Sequence, residues 1–113
     1  GNFVNGRNSL GENIGDVGGL AMAYHAYKLS LNGKEAPVID GVTGDQRFFL
    51  AWAQVWKEKR TEQSMLNQLR GGTHAPGRFR AQAPRNHDAW YKAFDVKPGD
   101  ELYLPEDERV RIW

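Results

Sequence analysis

The sequence predicts a mainly α-helical fold, with about four helices joined by long loops. Apolar residues recur three and four positions apart in several stretches, which is the spacing of one helix face. Clusters of Gly, Pro and Asn separate these stretches, as expected of helix ends and loops. The 113 residues suffice for one small domain, and 40% hydrophobic with 26% charged residues is typical of a globular protein.

The first helix is predicted to run from about residue 10 to about residue 32. Residues 1–9 are rich in Gly and Asn, which favours a loop there. Ser9 or Asn8 is expected to cap the helix, and Glu12, three positions after Ser9, would complete a capping box.

The second half of this helix carries the stronger signal, because residues 20–29 place Leu20, Ala23, Tyr24 and Tyr27 on one face. Asn32-Gly33 is its stop signal. The first half contains glycines, and each costs about 1 kcal/mol relative to Ala. We therefore expect the glycine face to admit another helix or a metal site at close range. The glycines are Gly15, Gly18 and Gly19.

The second helix is predicted to start at Thr43 or Asp45 and to be the main core helix. Its apolar stripe consists of Phe48, Phe49, Trp52, Val55 and Trp56. The third helix is predicted from Thr61 to Arg70, capped by Thr61 or Glu62, and ends at Gly71-Gly72.

The last third of the chain is predicted to be broken by prolines. Residues 73–80 cannot be regular helix through Pro76-Gly77. A second break at residues 84–86 precedes a short fourth helix, which Asn86 or Asp88 would cap. Val110 and Ile112 alternate with arginines, which allows a short strand or an extended plug.

Composition limits the functional classes. The formal net charge of +1 gives no bulk electrostatic reason to expect nucleic acid or an acidic membrane surface as a partner. Cysteine is absent, so any metal must be held by His, Asp or Glu. The sequence has no apolar run of transmembrane length and no signal-peptide pattern at its start. Residues 1–6 look like the middle of a chain, which predicts a piece of a longer protein.

Glu12 and Asp16 are the first candidate site. On a helix their spacing places both carboxylates on one face, one turn apart. Spacing alone favours a solvated acidic first turn, because the helix dipole attracts negative charge there. A carboxylate can also bind Zn²⁺ directly, and a neighbouring carboxylate can orient a metal-bound His.

His74 and Arg80 form the second candidate site, on one loop. Such groups can donate to an oxyanion or to a peptide carbonyl. A single loop His is more often a surface residue, and Arg78 with Arg80 is more often a solvated pair. Each signal is weak when taken alone.

Together, these motifs resemble the neprilysin and endothelin-converting-enzyme family of zinc metallopeptidases, which are gluzincins. The third-ligand motif of that family is similar to residues 5–19, NGRNSLGENIGDVGG. The family's later motifs are similar, in the same order and spacing, to residues 48–56, 74–80, 93–94 and 109–113. The resemblance implies that residues 1–113 are a single C-terminal segment of a thermolysin-like (zincin) catalytic domain.

The resemblance also implies a role for each candidate residue. Glu12 matches the third zinc ligand, and Asp16 matches the acid that holds one of the zinc-bound histidines. His74 matches the residue that stabilises the tetrahedral oxyanion. Arg80 matches the residue that hydrogen-bonds the substrate's peptide carbonyl. The implied activity is zinc-dependent endopeptidase cleavage of peptides or oligopeptides.

Three positions depart from the family pattern. Gly15 stands where Ala is usual, Ala75 replaces the usual Ser, and Val110 stands in the final Cys-x-x-Trp pattern. The animal members' cysteines are absent. This departure implies a bacterial-type member, located in the periplasm, on the cell surface or outside the cell.

The H-E-x-x-H motif of such enzymes, with two zinc-binding histidines and the general-base Glu, is absent from these 113 residues. We therefore expect it upstream. The 113-residue piece is predicted to be inactive alone and to bind Zn²⁺ weakly or not at all. Its expected partners are peptide substrates and the remainder of its own catalytic domain, with no nucleic acid and no membrane segment in this part.

Two other classes compete with the enzyme. A non-enzymatic all-α interaction module would use the aromatic stripe of the second helix. A nucleic-acid binder would rest on Arg78, Arg80 and Arg85, against the balanced charge. The enzyme interpretation requires Glu12, Asp16, His74 and Arg80 to converge on one cleft, whereas the alternatives predict that they scatter.

Overall fold

The computed structural model describes residues 3–112. This part of the chain contains five α-helices, two 3-10 turns and no β-strand, so the prediction of a mainly helical fold is confirmed. The helices are α1 (Gly6–Ser30), α2 (Gly44–Val55), α3 (Glu62–Gly71), α4 (Gly77–Arg80) and α5 (Asp88–Phe94). The 3-10 turns are Ala83–Asn86 and Glu106–Glu108. No helix among these residues has the length and apolarity that crossing a membrane requires.

The N-terminus of α1 is where the prediction is wrong. The helix begins at Gly6, and Asn5 is the cap, because its Oδ1 accepts from the backbone N–H groups of Arg7 and Asn8 at 3.1 and 3.3 Å. Ser9 is buried within the helix instead of capping it. Glu12 consequently lies in the second turn, beyond the region where the helix dipole favours acids most.

The starts of α2 and α3 and the end of α1 follow the local signals. Thr43 and Gln46 form a complete capping box at the start of α2, and Thr61 caps α3. After α1, Asn32 and Gly33 adopt φ values of +51° and +75°, so the chain turns there as the Asn-Gly signal predicts.

A core between α1, α2, α5 and the 3-10 turn Ala83–Asn86 holds the fold together. Leu20 and Phe49 are its most buried large side chains, with 4% and 3% of their surfaces exposed. Phe49 stacks on Tyr24 with the ring centroids 5.7 Å apart. The predicted core role of α2 is therefore confirmed, except that Val55 is 68% exposed.

In the last third, no regular helix passes through Pro76-Gly77, as expected, but α4 was not predicted and the cap of α5 needs correction. Residues 73–76 are a loop, but one turn of helix, α4, follows Pro76, because a proline just before a helix does not interrupt its hydrogen bonds. At α5 neither Asn86 nor Asp88 is the cap; His87 takes that position, and its side chain makes no hydrogen bond that caps the helix.

The C-terminal segment is extended but pairs with no strand in the described region. Its backbone is held by Asn86, whose Oδ1 accepts from Val110 N at 2.8 Å. Arg109 stacks 3.6 Å from the Tyr91 ring centroid and bonds to Asp88 at 3.1 Å. Trp113, the last residue of the motif, lies outside the described residues.

Tyr24 joins α1 to α2 by donating from Oη to Asp45 Oδ2 at 2.7 Å. Burial and the neighbouring Asp45 carboxylate raise the pKa of Tyr24 above its ordinary range, so the hydroxyl stays a donor. We expect Tyr24→Phe to lower the free energy of unfolding by about 1–2 kcal/mol, as for loss of one partly exposed hydrogen bond to a charged group. Chemical denaturation followed by tryptophan fluorescence measures the change.

Tyr27→Phe is the matched control, because Tyr27 also stacks on Phe48 yet its hydroxyl makes no hydrogen bond among the described residues. We expect Tyr27→Phe to cost less than Tyr24→Phe. Equal losses from the two substitutions would contradict the role given to the Asp45 bond.

Candidate functional site

Glu12 and Asp16 project from the same side of α1, one turn apart, but their environments differ. Half of the Glu12 side chain is exposed, whereas the Asp16 side chain is 13% exposed. Within residues 3–112, the Glu12 carboxylate accepts no hydrogen bond from a side chain, so its oxygens remain free to bind a ligand. The two acids are therefore suited to different tasks.

His74 lies next to Glu12, although the two residues are 62 positions apart in the sequence. The loop after α3 brings the His74 Nδ1 atom within 3.6 Å of Glu12 Oε2. Half of the imidazole is exposed, as is half of the Glu12 side chain. A side chain that can donate a hydrogen bond is thus placed beside a half-exposed carboxylate.

Arg80 meets Asp16 in a bidentate ion pair. The Nε and Nη2 atoms of Arg80 each donate to one oxygen of Asp16 at 2.8 Å. Only 18% of the Arg80 side chain is exposed, and its guanidinium lies 3.8 Å from the Trp56 ring centroid. Fork-to-fork geometry and stacking on an aromatic ring orient the guanidinium in two directions at once.

The hydrogen bonds from Arg80 to Asp16 raise the pKa of Arg80 above its ordinary value, and the charges of Glu12 and Glu58 act in the same direction.

Both members of the Arg80–Asp16 pair can make further hydrogen bonds. Arg80 has five N–H donors and gives two of them to Asp16. Each carboxylate oxygen of Asp16 has a second lone pair, so it can still accept from another N–H group.

A complete metal site is absent from residues 3–112, where no three or more His, Cys, Asp or Glu side chains are grouped as ligands. Glu12 nevertheless fits the part of one ligand, since its carboxylate is half exposed and accepts no side-chain hydrogen bond within residues 3–112. A catalytic zinc needs three protein ligands. The described residues thus offer one candidate carboxylate, two short of the three ligands that a catalytic zinc needs.

The glycine face of α1 is only partly open. A Cβ added at Gly11, Gly15 or Gly19 would meet nothing within 4 Å. Gly18, by contrast, is buried. Another element could therefore approach α1 closely at Gly15 and Gly19, which lie on the exposed side together with Glu12. Asp16, in contrast, faces α4 and pairs with Arg80.

Sequence reasoning missed three side chains around Arg80. The helical spacing of Trp56 predicts a core position, but the Arg80 guanidinium also stacks on its ring. Trp52 donates from Nε1 to the backbone oxygen of Arg80 at 3.0 Å, and Glu58 accepts from the backbone N–H of Gly77 at 3.2 Å. No local pattern signals these contacts, because they join α2 and the segment after it to residues 19 to 28 positions later.

Comparison with known proteins places this chain in a family. The model of the family described as Peptidase family M13 matches residues 1–110. Endothelin-converting enzyme 1 of Mus musculus is 49% identical over 104 residues, which are 88% of this chain and 13% of the enzyme. Neprilysin-2 of Caenorhabditis elegans is 37% identical over 114 residues, 97% of this chain and 15% of that protein.

The structural comparison agrees with the sequences. The crystal structure of the Mycobacterium tuberculosis zinc metalloprotease Zmp1 in complex with an inhibitor superposes with a TM-score of 0.94 at 51% identity. It covers 97% of this chain, and this chain covers 17% of it. The chain therefore spans less than a fifth of the length of the relatives that it matches.

Proposed function

Because this chain belongs to peptidase family M13, we propose that it is a C-terminal segment of the catalytic domain of a zinc-dependent endopeptidase of the neprilysin type, which hydrolyses peptides or oligopeptides. The observation that carries the proposal is the convergence of four polar residues from distant parts of the chain. Glu12 lies 3.6 Å from His74, and Asp16 binds Arg80 at 2.8 Å. An interaction module gives no reason for these contacts.

Glu12 would supply one ligand to the zinc ion, with its half-exposed carboxylate. The ion, when bound, supplies Lewis-acid chemistry by polarising a water molecule and the scissile carbonyl. Asp16 would accept the free N–H of a zinc-binding histidine on its remaining lone pairs, while Arg80 keeps the carboxylate in place. One residue would therefore bind the metal and the other would orient a ligand.

His74 and Arg80 would bind the substrate. The half-exposed imidazole of His74, beside Glu12, would donate to the oxyanion as negative charge develops on the scissile carbonyl oxygen. Arg80 has three N–H donors left after pairing with Asp16, and one of these would hold a peptide carbonyl. Its stack on Trp56 fixes the direction in which those donors point.

The remainder of the catalytic domain would complete the site. Because the chain covers 13–17% of its relatives, we propose that the H-E-x-x-H histidines and the general-base Glu come from outside the 113 residues. The open side of α1, with Glu12, Gly15 and Gly19, would face them. A periplasmic, cell-surface or secreted location remains a prediction from the family resemblance.

The proposal is tested with the full-length protein and the 113-residue chain side by side. We expect the full-length protein to cleave oligopeptides, to lose this activity with a zinc chelator, and to regain it with Zn²⁺. We expect the 113-residue chain to show no cleavage and to retain no stoichiometric zinc after dialysis at neutral pH, because it carries one of three ligands. Chelator-resistant cleavage by the full-length protein would refute the metal-dependent function.

A further inference from the structure

The segment that carries Arg80 is too short to hold its own conformation. The helix α4 has four residues. An isolated helix of that length is unstable in water, because ordering the first turn loses more conformational entropy than its single hydrogen bond offsets. Pro76, at its N-cap position, makes no side-chain hydrogen bond to it. The conformation must therefore be imposed by contacts from elsewhere in the chain.

The first residue of α4 is held by Glu58. Its Oε1 atom accepts from the backbone N–H of Gly77 at 3.2 Å, which satisfies a donor that every helix start leaves unpaired. Arg60 holds the same carboxylate from the other side, with Nε 3.2 Å from Oε1. The acceptor is thus itself fixed in place.

The last residue of α4 is held by Trp52. The indole Nε1 donates to the backbone oxygen of Arg80 at 3.0 Å, which satisfies an acceptor that the helix end leaves unpaired. Trp52 also packs against the buried core around Phe49, so its indole is anchored to α2. One end of α4 is therefore tied to the core and the other to the segment that leaves α2.

Gly77 permits this close approach. A Cβ at position 77 would lie 2.8 Å from Glu58 Oε1 and 2.9 Å from the backbone oxygen of Trp56. The second contact involves backbone, so it cannot be relieved by turning a side chain. The absence of a side chain at residue 77 is thus part of the same arrangement.

We propose that Glu58 and Trp52 are positioning residues, which hold both ends of α4 and thereby aim the Arg80 guanidinium at the substrate's peptide carbonyl. This inference rests on the proposed peptidase function. Neither residue touches the substrate in this scheme; both act through Arg80. By analogy with groups that orient metal ligands, whose removal costs about 10- to 100-fold in affinity or activity, we expect a loss at the lower end of this range.

The test uses the full-length protein and steady-state kinetics on one oligopeptide. We expect Glu58→Ala and Trp52→Phe each to lower kcat/KM by about tenfold, mainly through KM, because Arg80 binds substrate before and during reaction. Glu58→Gln should retain most of the activity, since its amide oxygen can still accept from Gly77. Glu101→Ala and Trp90→Phe are the matched controls and should change kcat/KM less than twofold.

A double-mutant cycle separates positioning from a general structural role. In an Arg80→Ala background, Glu58→Ala and Trp52→Phe should cause no further loss, because both act through the residue already removed. Unchanged activity in the single variants, or losses that persist in the Arg80→Ala background, would overturn the proposal.

Amide hydrogen exchange supplies a readout that does not depend on catalysis. We expect the Gly77 amide to exchange at least about tenfold faster in Glu58→Ala than in the parent or in Glu101→Ala, because its acceptor is gone. If the parent protein cleaves no peptide, the proposed function fails, and Gly77 exchange still decides whether Glu58 holds α4. Unchanged exchange would refute that contact.

Discussion

Glu12→Gln in the full-length protein is expected to abolish zinc-dependent peptide cleavage. The amide is neutral and is not among the side chains that proteins use for zinc, whereas a carboxylate is. Loss of a direct ligand should exceed the roughly 10- to 100-fold effect of removing a group that only supports a ligand. The half-exposed Glu12 side chain contributes little to packing, so the fold should survive the substitution.

Zinc content after dialysis and peptide cleavage are measured on the same preparations of this variant. Glu101→Gln is the control, because it makes the same change at an exposed carboxylate outside the site. We expect the control to retain zinc and activity. A Glu12→Gln protein that keeps stoichiometric zinc and full activity would exclude Glu12 as a ligand.

His74→Phe is expected to lower kcat by about 100- to 1000-fold, the usual loss when one oxyanion donor is removed. The phenyl ring fills a similar volume but cannot donate a hydrogen bond. Because the oxyanion forms only as the reaction proceeds, the change in KM should be much smaller than the change in kcat.

Steady-state kinetics on a single oligopeptide give both constants for this variant. His25→Phe is the matched control, since His25 lies on an exposed part of α1 and should leave kcat unchanged. A variant in which KM rises while kcat stays constant would assign His74 to substrate binding instead of oxyanion stabilisation. Zinc content should be unchanged in either case, which separates this residue from Glu12.

Local sequence signals predicted the starts of α2 and α3 and the turn after α1, because a cap is made by residues a few positions apart. Thr43, one of the two expected starts of α2, caps that helix in a box with Gln46, and Asn32-Gly33 turns the chain as expected. The prediction failed at the start of α1, where Asn5 and Ser9 are both good caps and nothing local distinguishes them. Continuing the helix back to Gly6 lets Asn5 cap it and buries Ser9.

The helix α4 was missed for a different reason. A four-residue helix has no periodicity to detect and no cap of its own. The contacts that hold it come from Trp52 and Glu58, which are 28 and 19 positions away from their partners. Such a helix is stabilised by tertiary contacts, so the pattern of neighbouring residues does not predict it.

The sequence by itself determined the helical class, the caps of α2 and α3 and the order of motifs that identified the family. Family membership is confirmed by the M13 model over residues 1–110. The tertiary structure alone decided that Asp16 and Arg80 form a shielded bidentate pair, and that Glu12 stays half exposed beside His74. Caps and periodicity act over a few residues, whereas an ion pair across 64 positions depends on how α1 and α4 pack around the core.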